Sequence, residues 1–322
     1  PYFYIRDRSP VMPPTNDIAA NSSTGGPEGW NNIQGAFWRA GKIAPDCKLD
    51  EVTPRFFDEA VNIIQKHDTD NNNRPLFLYL ALPSPHTPWL PLRKFQGKSK
   101  AGMYGDFAMM VDAEIGRVLN ALDAQKMSAN TLVIFTSDNG PVWYEEDVKR
   151  LGHDSSGGLR GMKGDAWEAG HRMPFIVRWP AKVEAGSSSG QTICFTDLLA
   201  TFASLTGAEL PEDAGPDSFD FSPVMFGKQP GDEPIRPPVV MAAGGGTMLI
   251  RDGDWKLITA LGSGGFSEPR RVKPEPGGPK GQLYNLRDDR DETRNLYLEK
   301  PETVSRLDAT LREIKQGQRT RG

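Results

Sequence analysis

Two short runs carry most of the chemistry this chain can do. Thr136-Ser137-Asp138-Asn139-Gly140 closes the apolar run Leu132-Val133-Ile134-Phe135. That places a carboxylate beside a carboxamide at the mouth of an expected buried strand, where α/β proteins build their sites. The pair offers hard oxygen donors of the kind Ca²⁺ or Mg²⁺ prefers, and Gly140 lets the backbone turn away. The same Asp-Asn-Gly tripeptide is also a common turn after a strand. The second run, Gly158-Leu159-Arg160-Gly161-Met162-Lys163-Gly164-Asp165, sets Lys163 among glycines, so an anion can approach its ammonium closely. A solvated surface lysine is the ordinary alternative.

The histidines divide the same way. His86, in Pro85-His86-Thr87-Pro88 after the apolar run 76–82, could donate to an oxygen on which charge develops, or be satisfied by backbone in a proline-stiffened loop. His171, next to Arg172, either lines a pocket or holds its loop by hydrogen bonds, and the structural role is the plainer reading. His153, Asp154 and Arg160 flank the Lys163 loop as candidate substrate contacts or as plain surface. His67 follows a helix and complements its dipole.

Taken in order, Pro85-His86-Thr87-Pro88, the Asp138-Asn139 turn, the Lys163 loop, and Trp167-Glu168-Ala169-Gly170-His171-Arg172-Met173-Pro174 leading into Phe175-Ile176-Val177-Arg178-Trp179-Pro180 resemble the sulfatase family. The match is most specific over 75–180. The resemblance implies an alkaline-phosphatase-like α/β fold and hydrolysis of sulfate monoesters. It implies Asp138 and Asn139 as ligands of a single Ca²⁺, with Mg²⁺ as the other candidate. It implies Lys163 and His86 as the catalytic contacts to sulfate. His153, Arg160 and His171 complete the expected site as substrate-binding residues.

The resemblance also implies a formylglycine nucleophile, made from the first residue of a Cys-x-Pro-x-Arg or Ser-x-Pro-x-Arg motif. Cys47 runs into Lys48-Leu49-Asp50 and Cys194 into Phe195-Thr196-Asp197, and the motif is expected to be missing. The family's early Asp-Asp pair and Gly-Lys-x-His segment are expected to be missing as well, since all three normally precede the point where this chain begins. The expectation is therefore the C-terminal two-thirds or so of a sulfatase, inactive alone, in a protein that is secreted, periplasmic or lysosomal. Two other readings stay open. One is a phosphomonoester or phosphonate hydrolase of the same superfamily, against which stand Asn139, where those enzymes tend to place histidine, and a total of four histidines. The other is a non-catalytic binder of sulfated glycans that keeps Lys163 and His86 as an anion cradle.

Composition agrees with a globular protein. The 322 residues carry a net charge of −4, and the mild acidity argues against a nucleic-acid partner. No apolar run reaches the roughly 18 residues of a membrane helix. Two cysteines far apart set no disulfide framework. Neither the identity of the sulfate ester nor the oligomeric state is written in these residues.

The elements that must position the site follow from periodicity. Residues 1–50, rich in Pro, Gly, Asn and Ser, read as loop with short elements. A helix is expected from Thr53 to about Lys66, a turn over 68–74 and a buried strand over 76–82. A long helix over 103–124 then leads to a strand over 131–137, and this strand–helix–strand order predicts a parallel pairing. A strand over 175–178 and a helix over 197–205 ending at Gly207 continue an α/β pattern. The expected fold class is α/β, a mixed and largely parallel sheet flanked by helices, with a smaller C-terminal antiparallel sheet plus helix. Domains are expected at 1–236, the second part of it a Pro- and Gly-rich connecting region, and 237–322. The latter reads as short strands at 239–242, 248–252, 255–258 and 282–284, an irregular loop over 262–281 and an amphipathic helix over 303–315.

Overall fold

Apolar residues at helical spacing make α1 (Val52–Lys66), which buries Phe57, Ala60 and Ile64 and keeps Pro54 in its first turn, where a missing N–H costs nothing. The computed structural model describes residues 1–67, 74–228 and 233–321. Most of the expected 68–74 turn, and residues 229–232 of the connecting region, lie outside the described residues. The contacts divide into two units, Pro1–Ala129 with Arg150–His153, and Asn130–Lys149 with the chain from Asp154 onward.

In the first unit two small antiparallel ladders, β1 (Ile5–Arg6) with β2 (Ser9–Pro10) and β3 (Asn16–Ile18) with β4 (Gly41–Ile43), punctuate an otherwise irregular segment. Helix α1 packs on α2 (Gly102–Ala124), whose Phe107, Met110 and Val111 are buried. Arg117 of α2 reaches Asp58 of α1 at 2.7 Å and also pairs with the buried Glu114. The Asp106 carboxylate accepts the amides of Gly97, Lys98 and Ser99 at 2.6–3.0 Å, which fixes the loop entering α2. The expected strand over 76–82 does not form among the described residues. Its period-two pattern is present, with Phe77 and Tyr79 77% and 81% exposed, but an extended segment becomes a strand only when a second backbone pairs with it.

In the second unit β5 (Val133–Thr136) pairs with β6 (Phe175–Arg178), Val133 opposite Arg178 and Thr136 opposite Phe175. The pairing is antiparallel, so the parallel partner expected for 131–137 is replaced by the strand that follows the Lys163 loop. Helix α3 (Glu145–Leu151) begins in this unit. Helix α4 (Asp197–Thr206) ends at Gly207, as expected. The buried Asp197 at its start binds Arg236 at 2.7 Å and the amides of Cys194 and Phe219. A short α5 (Ser222–Met225) follows.

All four C-terminal strands form: β7 (Val239–Ala242), β8 (Met248–Asp252), β9 (Trp255–Ile258) and β10 (Gln282–Asn285), in the antiparallel order β10-β9-β8-β7. Alternation along them makes two apolar faces. Ile250, Leu257 and Leu283 pack on Leu307 and Leu311 of α6 (Pro301–Gly317), whereas Leu249, Ile258 and Tyr284 pack on Ala166 and Trp167. The sheet therefore backs the very loop that carries Lys163. The architecture is α/β with a small C-terminal antiparallel sheet. No described helix is long and apolar enough to cross a membrane.

Candidate functional site

At the end of β5 the Thr136 hydroxyl donates to the Pro174 carbonyl at 2.8 Å, tying the strand's exit to the entry of β6. Ser137 Oγ donates to Asn139 O at 3.2 Å and closes the turn. Asp138 is exposed and Asn139 half-buried. Among the described residues neither side chain has a hydrogen-bond or ion-pair partner. Gly140 is buried because the turn presses against the far end of the Lys163 loop: its N–H donates to Gly170 O at 3.1 Å. A Cβ at 140 would overlap the Ala169 carbonyl oxygen, so only glycine permits this approach.

The near end of the loop is tied to the same turn. Lys163 N donates to Pro141 O at 2.7 Å, and Ala169 N to Arg160 O at 3.0 Å. The buried Asp165 carboxylate accepts Met162 N at 2.8 Å with one oxygen and Phe266 N and Ser267 N at 2.6 and 3.1 Å with the other. Asp138, Asn139 and Lys163 thus stand on one hydrogen-bonded backbone frame. The half-buried Lys163 has no ion-pair partner among the described residues.

Behind the loop lies a buried ionic cluster. Glu168, fully buried, meets Lys256 at 3.0 Å, Arg172 at 3.0 Å, Arg251 at 3.4 Å and His171 Nε2 at 3.3 Å. Lys256, equally buried, also pairs with Glu292 at 2.9 Å and lies 3.2 Å from His171 Nε2. Burial alone would push the Glu168 carboxyl up, but the His171 contact and the charges of Lys256 and Arg251 outweigh it and hold the acid well below its usual range. Burial pushes Glu292 up. Burial, then the Lys256 charge, push His171 down, toward the neutral imidazole.

The sequence-expected residues are distributed unevenly. Arg160 is engaged: its guanidinium stacks on Trp167 at 3.8 Å and donates to Tyr284 Oη at 3.2 Å and Glu292 O at 2.5 Å. His171 faces Glu168 and Lys256. His86 and His153 belong to the first unit, and both are exposed. His86 Nδ1 lies 2.8 Å from Thr87 O, a carbonyl that can only accept, so Nδ1 is the donor there. His153 lies ring to ring with Tyr104 at 6.1 Å.

Sequence reasoning missed Asp165, Glu168, Lys256 and Glu292. The available signal was Lys256 itself, a charge at an inward position between the apolar residues of β9.

One expectation about the nucleophile is wrong as to letters. Ser267-Glu268-Pro269-Arg270-Arg271 does match Ser-x-Pro-x-Arg. It stands far after the Asp138-Asn139 and Lys163 motifs, whereas the family's motif precedes them, and Ser267 N is spent on Asp165.

The donor set at Asp138-Asn139, one carboxylate and one carboxamide, is oxygen-only and fits part of a Ca²⁺ shell, which takes six to eight oxygens. Among the described residues no group of three or more His, Cys, Asp or Glu could hold a metal ion.

In the second unit an oxygen-donor turn and a glycine-flanked lysine thus stand on one frame. A family model described as Sulfatase matches residues 21–208, and the chain belongs to the sulfatase family. It is 35% identical to an N-acetylgalactosamine-6-O-sulfatase of Bacteroides thetaiotaomicron over 88% of this chain and 55% of that protein. It is 37% identical to human steryl-sulfatase over 58% of this chain and 31% of that one. A structure solved in work on the metabolism of multiple glycosaminoglycans by B. thetaiotaomicron superimposes with a TM-score of 0.73 at 33% identity, covering 85% of this chain and 57% of that one. The chain spans about half or less of the length of these relatives.

Proposed function

We propose that this chain forms part of a sulfuric ester hydrolase, in which the Asp138-Asn139 turn and Lys163 handle the sulfate. The observation that carries this is the pair of backbone hydrogen bonds, Gly140 N to Gly170 O and Lys163 N to Pro141 O, that fixes the oxygen donors and the ammonium to one frame. A sulfate ester carries negative charge that grows on the leaving oxygen as the bond breaks, so preorganised cations lower the barrier. Asp138 and Asn139 would hold Ca²⁺ together with ligands from outside the residues described here. When bound, that ion supplies positive charge beside the sulfate.

Lys163 holds a sulfate oxygen or protonates the leaving ester oxygen as the S–O bond breaks, and glycine on its C-terminal side leaves the approach open. His86, in the first unit, is assigned by the family resemblance as a donor to a sulfate oxygen or to the ester oxygen as charge develops there. The nucleophile, a formylglycine in this reading, is not supplied by Cys47, Cys194 or Ser267. The chain by itself is therefore inactive, and an exported location belongs to the same proposal.

Calorimetric titration of the chain with CaCl₂ and with sodium sulfate tests the reading, alongside an aryl sulfate assay. Ca²⁺ binding that weakens in Asp138→Ala and sulfate binding that weakens in Lys163→Ala are expected, with no turnover. Turnover by the chain alone would refute the missing nucleophile, and variants that bind like the wild type would refute the assigned roles.

A further inference from the structure

Lys163 sits at a corner of the turn 162–165, which Asp165 closes twice. Asp165 N donates to Met162 O at 3.0 Å, and Met162 N donates back to the Asp165 carboxylate at 2.8 Å. Gly164, at φ +82°, takes the left-handed corner that a type II turn requires of its third residue. The two central residues are held from outside as well. Lys163 N donates to Pro141 O and Gly164 O accepts from Gly244 N, each at 2.7 Å. The lysine therefore leaves a backbone held on every side, and only its side-chain torsions are left to be set when an anion arrives.

Asp165 itself is buried and takes no ion pair among the described residues. Its charge is met by backbone N–H groups, Met162 on one oxygen and Phe266 and Ser267 on the other. Donors on both sides need a group that accepts with both oxygens, which an ionised carboxylate does and an amide does not. An Asn at 165 would give its carbonyl to the side with two donors, and its NH₂ would then face Met162 N–H and open the turn. Resting on the reading of Lys163 as a sulfate contact, we infer that Asp165 is a positioning residue for that lysine: it stays out of contact with the sulfate, while its carboxylate holds the 162–165 turn in the shape that aims the ammonium. The 263–267 segment is the far anchor of the same carboxylate.

Calorimetry of the chain with sodium sulfate, and NMR of the chain with its lysines reductively methylated by isotope-labelled formaldehyde, test this; the Lys163 resonance is the one lost in Lys163→Arg. Asp165→Asn is expected to weaken sulfate binding about fivefold, the scale of one hydrogen bond, and to shift the Lys163 resonance in sulfate-free buffer. Gly164→Ala, which strains the same turn at φ +82° without altering its charge, is expected to do the same. Circular dichroism checks each fold, and Gly164→Ala decides if Asp165→Asn misfolds. Ser263→Ala is the comparison for a merely structural role: it removes the hydroxyl that donates to Ser267 O and accepts Gly265 N, which loosens the anchor and leaves the turn closed. Both readouts are expected to stay at wild-type values in it. A Lys163 resonance or a sulfate affinity unchanged in Asp165→Asn, or Ser263→Ala reproducing its effects, overturns the proposal. If wild type binds no sulfate, the sulfate reading of Lys163 fails, and the resonance still decides whether Asp165 positions the lysine.

Discussion

Lys256 and Glu168, 88 residues apart in the chain, meet at 3.0 Å with neither side chain exposed. The contact fastens the middle of the C-terminal sheet to the far end of the Lys163 loop. Lys256 serves Glu292 as well, so one buried ammonium compensates two buried carboxylates.

Removing that ammonium leaves Glu292 without an ion-pair partner among the described residues, while Glu168 keeps Arg172 and Arg251. Lys256→Met is expected to lower stability by about 3–5 kcal/mol, the scale of a buried pair broken on one side. Urea unfolding followed by tryptophan fluorescence measures it; a loss below about 1 kcal/mol would mean the carboxylates find water or protons at little cost.

His171 makes the cluster sensitive to mild acid. Its folded pKa is depressed, so the unfolded chain takes up a proton first as pH falls below its ordinary value near 6.5. The His171 contribution is complete above that pH and is lost as pH falls toward the lower folded value. The melting temperature is expected to drop more steeply between pH 7 and 5 in wild type than in His171→Gln, and parallel curves would contradict this.

Gly140→Ala should be costly for a residue at a turn. The added methyl group must displace the Ala169 carbonyl, and with it the hydrogen bond to Gly170. A loss of about 2–4 kcal/mol is expected, as for overpacking against an unyielding neighbour. Gly116 of α2, where an added Cβ would meet nothing within 4 Å, is the control, and Gly116→Ala should stabilise slightly.

Ser267 is expected to remain serine despite its Ser-x-Pro-x-Arg surroundings, its N–H held by Asp165 and its carbonyl by Ser263 Oγ. Peptide mass spectrometry of the protein expressed with a formylglycine-generating system reads this directly. A mass lower by two hydrogens at Ser267 would place the nucleophile on this chain.

Local patterns were legible, whereas distant partners were not. Alternation along 239–258 and 282–284 revealed the four C-terminal strands, and the 3.6-residue period revealed α2 and α6, because each buried face is written within its own element. Asp138, Asn139 and Lys163 stood out for the same reason. The pairing of β5 was misread because 76–82 has the alternation of a strand but ladder partners are chosen across the chain. Lys256 announced an anomaly in β9 without saying which of many acids would answer it. His171 offered two roles, and only its neighbours from β9 and the loop reveal the ionic setting.

Asp165 divides its two oxygens between different loops, one for its own turn at Met162 and one for the Phe266-Ser267 amides. Beyond Val272, where a single bridge to Leu261 closes the anchored part, the chain runs exposed through 273–277 before re-entering the sheet at Gln282. That stretch is the natural place to splice in a tag, a dye-bearing cysteine or extra residues, since length added there is absorbed outside the clasp and leaves the lysine's seat undisturbed.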